Sequence, residues 1–330
     1  MAGASASCQI CDKLVLIGVP TDEGSGMPGA RRGPAALQCA GIGRALQDIG
    51  WQVIDRGEIV PEQDNAAKII LSRGRANNVK GVARFAREIA TATSGVLAAG
   101  HRAVLLGGDH TVAMGSIGAA ARHWSGQGRP LFVLWLDAHA DFNSPLTTRT
   151  GNLHGMVLAM LCGVFGTPAM FNIPVFPPID PRNLLLVGTR SIDAMEGLLM
   201  RDNNLNVVRA GDVGSARLDG ALQKLLDDVH SANGVLHVSL DLDVLDPAAA
   251  PGVATPVVGG CALDDVMEVM TRLAGEDCVH SLDVVEFVPE ADVEGRTAAA
   301  AVALTVALFD KGDLCQTAAA PRETMEVESG

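Results

Sequence analysis

Eight short apolar runs constrain this 330-residue chain more than any other feature. They lie at residues 14–19, 51–55, 103–107, 131–137, 183–188, 205–208, 235–241 and 279–285. Most are continuous rather than alternating, which is how strands buried on both faces read. Stretches of helical period separate most of them, at 34–48, 79–99, 111–123, 154–162, 217–230, 263–273 and 294–309. Pro34 suits the first turn of its helix. Strand and helix in alternation predict an α/β fold, a parallel sheet with helices on both faces and right-handed crossovers. No internal repeat or linker divides the chain. One domain over 13–310 is expected, between a flexible N-terminus (1–12) and a flexible tail (311–330) poor in apolar residues.

Composition narrows the class. With 48% hydrophobic and 19% charged residues, the chain has ample material for a large core. A net charge of -13 argues against a nucleic-acid backbone or an anionic membrane as partner, since both attract basic surfaces. Seven cysteines, an odd number in a long chain, do not make a disulfide framework, so a reducing, cytoplasmic setting is expected. Cys8 and Cys11 form a C-x-x-C that reads either as a redox or metal pair or as two thiols in a floppy terminus. The absence of a second pair at zinc spacing favours the thiols. The opening MAGASASCQICDK lacks the basic and apolar regions of a secretory signal. The longest apolar run, 298–309, is broken by Thr305 and falls short of the ~18 residues of a membrane span.

In parallel sheets, ligands bind outside the carboxyl ends of the strands, so chemistry should follow each apolar run. The run LFVLWLDAHADFN ends with Asp137, His139 and Asp141 at every second position, which share one face of an extended segment. VSLDLDVLDP places Asp241 and Asp243 on one face in the same way, and LLGGDH ends in His110. A lone D-x-D is common in loops, and a lone buried histidine is ordinary. Four carboxylates and two imidazoles converging are not, because buried like charges repel unless cations lie between them. Six ligands are many for one ion and natural for two, which can share carboxylates ~3.5–4 Å apart. Carboxylate-rich, thiol-free ligation favours a hard ion such as manganese over structural zinc.

Two further stretches carry reactive groups. NSPLTTRTGNLHG holds Asn143, Thr148, Thr150, Asn152 and His154, and VVEFVP holds Glu286. His154 suits a general acid or base, the alternative being a residue at a helix start. Glu286 suits a cationic group beside the metals, the alternative being a surface loop acid. GSGMPG (24–29) matches G-x-G-x-x-G after a strand. However, a dinucleotide site needs its third glycine inside the opening helix, and here Pro28 and Gly33-Pro34 delay that helix. The stretch reads instead as a flexible loop at the mouth of the site.

GGDHT, DAHADFN, TGNLHG, SLDLDVLDP, ATPVVGG and VVEFVP, in this order, resemble the ureohydrolase family, and within it the arginases most. The resemblance spans residues 14–309. It implies a three-layer α/β/α sandwich around an eight-stranded parallel sheet, the arginase/deacetylase-like architecture. It also implies two Mn2+ ions held at His110, Asp137, His139, Asp141, Asp241 and Asp243. A metal-bridging hydroxide, near Asp141, would attack the guanidinium carbon of L-arginine and give urea and L-ornithine. His154 matches the family's proton-transfer histidine, and Glu286 the acid that holds the guanidinium. Asn143, Thr148 and Thr150 match the groups that meet the carboxylate, Asn152 joins the substrate-binding set, and Asp193 and Glu196 in GTRSIDAME match the acids that meet the amine. Arg149 departs from the pattern, standing where a small hydroxyl residue is expected. By resemblance the protein is a homo-oligomer, trimer or hexamer. The alternatives are a ureohydrolase of agmatine, guanidinobutyrate or guanidinopropionate, an inactive subunit, or a zinc deacylase. The last would call for an adjacent His-His that the chain lacks.

Overall fold

The computed structural model describes residues 13–61, 74–165 and 175–310. The expected flexible termini and the Cys8/Cys11 pair lie outside the described residues. Eight strands form one sheet: β1 (Leu14–Val19), β2 (Val53–Glu58), β3 (Arg102–Gly107), β4 (Leu131–Leu136), β5 (Leu184–Thr189), β6 (Asn206–Arg209), β7 (Val235–Asp241) and β8 (Val279–Val285). The spatial order is β2-β1-β3-β8-β7-β4-β5-β6, and every pairing is parallel. Among the described residues the helices are α1 (Gly33–Cys39), α2 (Ile42–Asp48), α3 (Val79–Ala98), α4 (Val112–Ser125), α5 (Val157–Leu161), α6 (Ala194–Asp202), α7 (Ala216–Ser231), α8 (Leu263–Ala274) and α9 (Arg296–Phe309). None is long and apolar enough to cross a membrane.

The continuous apolar runs are explained by hydrophobic clusters on both faces of the sheet. Along β4, Leu134 and Leu136 join the core built with α1, α2, α7, α8 and α9, while Val133 and Trp135 join the core built with α3, α4 and α5. Successive side chains point to opposite faces, so a strand covered on both sides reads as a nearly continuous apolar run. The result is the three-layer α/β/α sandwich expected from the sequence.

Several element boundaries differ from the expected ones. The helix read over 34–48 is two helices, because Gly41 takes a φ of 87° between them. That left-handed turn suits glycine and ends α1. The second strand runs over Val53–Glu58 rather than 51–55. It is an edge strand, largely exposed, so apolar content marks its limits poorly. The helix expected over 154–162 begins as a 3-10 turn at His154–Met156 before α5. Helix α6 was not expected, although Asp193 accepts from the backbone N–H groups of Met195 and Glu196 at 3.0 Å each. D-A-M-E is a helix-start signature, with an acid at the cap and a glutamate three residues on.

Strand order decides where a site can form. The chain lays β1, β2 and β3 at one side, crosses by α4 to β4, and builds outward through β5 and β6. It then returns to fill the centre with β7 and β8. The carboxyl ends of β3, β8, β7 and β4 are thereby neighbours, at the switch in strand order where such sheets bind ligands.

Candidate active site

Each central strand delivers side chains just beyond or at its end. His110 follows β3, Glu286 follows β8, Asp241 ends β7 with Asp243 behind it, and Asp137, His139 and Asp141 follow β4. Two of these residues hold left-handed backbone: Asp141 has a φ of 47° and Glu286 a φ of 63°. Such angles are uncommon outside glycine and asparagine, and at functional sites they aim a side chain that extended backbone would point elsewhere.

The donors form two groups that share Asp137. In the first, His110 Nδ1 lies 3.2 Å from Asp137 Oδ2, 3.4 Å from Asp141 Oδ2 and 3.2 Å from Asp241 Oδ2. In the second, His139 Nδ1 lies 3.0 Å from Asp243 Oδ2 and 3.4 Å from Asp137 Oδ1. Asp137 thus turns one oxygen to each group. The outer face of His110 is locked. Its Nε2 lies 2.8 Å from Ser239 Oγ, and its ring stacks on Trp135 with centroids 4.0 Å apart. The Trp135 indole N–H in turn donates to Asp137 Oδ2 at 2.9 Å. Thr255 Oγ1 donates to Asp243 Oδ2 at 3.0 Å.

Electrostatics show how much positive charge this cluster demands. Burial and neighbouring carboxylates push Asp141 and Asp241 well above the usual carboxylate range, and Asp243 upward as well. For Asp137, burial is outweighed by the adjoining His110 and His139 imidazoles, so its carboxyl falls below that range. Burial likewise disfavours charged imidazoles, yet the carboxylates around them raise His110 to about 9 and His139 to about 12. His110 Nδ1 is buried, makes no hydrogen bond and faces three carboxylates. An orphaned nitrogen among acids, held by its other nitrogen, is the arrangement of a metal ligand with its supporting partner.

A cleft of about 220 Å³ opens above these groups. His139, Asp141, Asn143, Thr148, Thr150, Asn152, His154, Asp193, Glu196, Asp241 and Glu286 all line it. His110, Asp137 and Asp243 lie buried beneath. The structure therefore brings together every candidate residue read from the sequence, though some have local duties that spacing does not reveal. Asp193 caps α6 with one oxygen and accepts from Asn143 Nδ2 at 3.2 Å with the other. Glu196 accepts the Phe142 N–H at 3.0 Å, and burial, with Asp193 nearby, pushes it up to about 7. The Asn152 amide donates to the Ser25 carbonyl and accepts from Asn77 at 3.3 Å. Glu286 is not a surface acid. It is buried, its Oε1 accepts the His110 N–H at 2.9 Å and lies 3.0 Å from His154 Nδ1, and its Oε2 has no hydrogen-bond partner. Burial opposes a charged His154, but the Glu286 hydrogen bond and charge raise it above its usual value.

The loop at 24–29 is better tied than expected. The buried Asp109 carboxylate accepts from Gly24 N–H at 2.6 Å and Ser25 N–H at 3.0 Å, and the Gly24 carbonyl accepts the His154 N–H at 3.3 Å. A Cβ on Gly24 would lie 2.2 Å from Thr111 Cγ2, so only glycine passes there. Sequence reading missed Asp109, Ser239 and Thr255. Ser239 sits two residues before Asp241 on a strand, so the same two-residue period that picked out Asp243 marks it. Asp109 was hidden because its partners lie some 85 residues away.

The fold and cleft define an α/β/α enzyme whose donor set is suited to hard cations. The model of the family described as "Arginase family" matches residues 12–309. An arginase of Bacillus caldovelox is 35% identical over 299 residues, covering 90% of this chain and 97% of that protein. A solved structure of a Bacillus caldovelox arginase superimposes with a TM-score of 0.81 at 34% identity, over 90% of this chain and 98% of that one. A proclavaminate amidino hydrolase from Streptomyces clavuligerus superimposes with a TM-score of 0.65 at 27% identity, over 91% of each chain. The chain belongs to the arginase family. It is a hydrolase of guanidino carbon–nitrogen bonds.

Proposed function

We propose that the protein hydrolyses L-arginine to L-ornithine and urea with two Mn2+ ions. The observation that carries this reading is the pair of donor groups sharing Asp137 beneath a cleft walled by Glu286 and His154. His110, Asp137, Asp141 and Asp241 would hold one ion, and Asp137, His139 and Asp243 the other. Oxygen and imidazole donors without thiol suit manganese. When bound, two such ions lower the pKa of water and supply a nucleophile near neutral pH.

The chain's own residues bind, orient and move protons. Glu286 Oε2, buried and unpaired, accepts the guanidinium N–H groups and sets the guanidinium carbon over the donor cluster. Asp141 receives a proton from the attacking water. His154, kept protonable by Glu286, delivers a proton to the departing amine. At the outer end, Asn143, Thr148, Thr150 and Asn152 take the substrate's carboxylate side, and Asp193 and Glu196 its amine side. The proposal includes a cytoplasmic homo-oligomer of three or six copies.

The test is urea release from manganese-loaded protein offered L-arginine, agmatine, 4-guanidinobutyrate and 3-guanidinopropionate separately. Arginine should be hydrolysed with the highest kcat/KM. A higher value for another member would move the substrate assignment and leave the metal assignment standing.

A further inference from the structure

The cleft is unevenly charged. Asp141, Asp193, Glu196, Asp241 and Glu286 all line it. Among the described residues lining it, Arg149 is the one arginine or lysine. It is exposed at the mouth, between Thr148 and Thr150, and makes no hydrogen bond or ion pair to any described residue. A guanidinium left unpaired beside five acids is unusual, because any nearby carboxylate would capture it. The backbone around it is fixed. Thr148 Oγ1 accepts the Gly151 N–H at 3.0 Å and Thr150 Oγ1 accepts the Asn152 N–H at 3.1 Å. Each hydroxyl accepts, so each still has its own hydrogen to donate outward.

We infer that Arg149 is a specificity-determining residue that pairs with the carboxylate of the substrate and selects guanidino amino acids over guanidino amines. This deepens the arginine reading above and rests on it. Two threonine hydroxyls and a planar guanidinium fork make a donor set complementary to a carboxylate, and they line the same cleft as the acids proposed to meet an amine. A substrate with a cation at its inner end and an anion at its outer end matches this polarity. A substrate lacking the anion would set its tail against an unmatched guanidinium. Because Arg149 stands at an exposed rim, its contribution lies between that of an open surface pair and that of a buried charged hydrogen bond, or about threefold to tenfold in affinity.

The experiment compares wild type, Arg149→Ala and Arg149→Lys as manganese-loaded protein. It measures kcat and KM for L-arginine and agmatine, and the Kd of L-ornithine by calorimetry. L-ornithine carries the carboxylate and amine without the guanidino group, so its binding reads the outer end independently of turnover. Expected is a threefold to tenfold loss of arginine kcat/KM in Arg149→Ala, carried mainly by KM. L-ornithine binding should weaken by a similar factor, agmatine kcat/KM should hold or rise, and Arg149→Lys should fall between. Equal losses on arginine and agmatine, or unchanged L-ornithine binding, would overturn the assignment. If wild type released no urea from arginine, the substrate reading would fall, while the ornithine titration would still decide the role of Arg149.

Discussion

Replacing Glu286 with glutamine isolates one charge at nearly constant shape. Glu286 Oε1 already accepts from the His110 N–H at 2.9 Å, and an amide oxygen can take its place. The other oxygen, buried and without a partner, becomes an NH2 group facing the N–H groups of an incoming guanidinium. A charged hydrogen bond is lost and donor is set against donor. Removing a charged acceptor from a buried site costs about 1.5–3 kcal/mol. At 1.4 kcal/mol per tenfold, that is about a 10- to 150-fold loss of kcat/KM for L-arginine. There is a second signature. Burial alone would lower His154, and Glu286 is the main group raising it. Without that charge His154 gives up its proton at lower pH, so the limb of the kcat profile that reports the protonated imidazole moves to lower pH. Steady-state kinetics across pH, with metal analysis of the same sample, provide the assay. Arginine kinetics within twofold of wild type would refute the role of Glu286. Loss of metal together with activity would show instead that its contact with His110 supports the ligand cluster.

Asp137→Ala removes the one carboxylate shared by both donor groups, so both ions should be lost together. Metal analysis after gel filtration checks this, and retention of one ion per chain would show that the groups are independent. Glu196 offers a test of stability against pH. Burial, with Asp193 beside it, raises its folded pKa from 4.5 to about 7. The folded state therefore holds a proton that the unfolded chain releases, and stability falls as pH rises from about 4.5 to about 7. With 1.36 kcal/mol per pKa unit, the cost above pH 7 is about 3 kcal/mol. Glu196→Gln keeps an acceptor for the Phe142 N–H and removes the titration, so the drop in Tm between pH 5 and pH 8 should shrink. An unchanged drop would place the pH sensitivity elsewhere.

Much of the site was legible because its logic is local. Asp137, His139 and Asp141 announce themselves by a two-residue period at the end of an apolar run, and Asp241 and Asp243 do the same. The break at Gly41 and the start of α6 at Asp193 were also legible, in a glycine at a helix end and in D-A-M-E, but they were read as continuous helix and as binding acids. A side chain that caps a helix and lines a cleft carries both signals at once, and spacing alone does not separate them.

The sequence by itself determined the layered α/β plan, because burial on both faces leaves a continuous apolar run that any short window displays. It also determined which residues stand at strand ends. The tertiary structure decided that those ends meet. Glu286 touches the backbone of His110 across 176 residues only because β8 inserts beside β3, an order set by crossovers packing over the whole sheet. It likewise decided that Glu286 is buried, that Asp141 and Glu286 take left-handed backbone, and that Asp109 ties the loop at 24–25. Those outcomes depend on the surroundings folded around each residue, and no stretch of sequence contains its own surroundings.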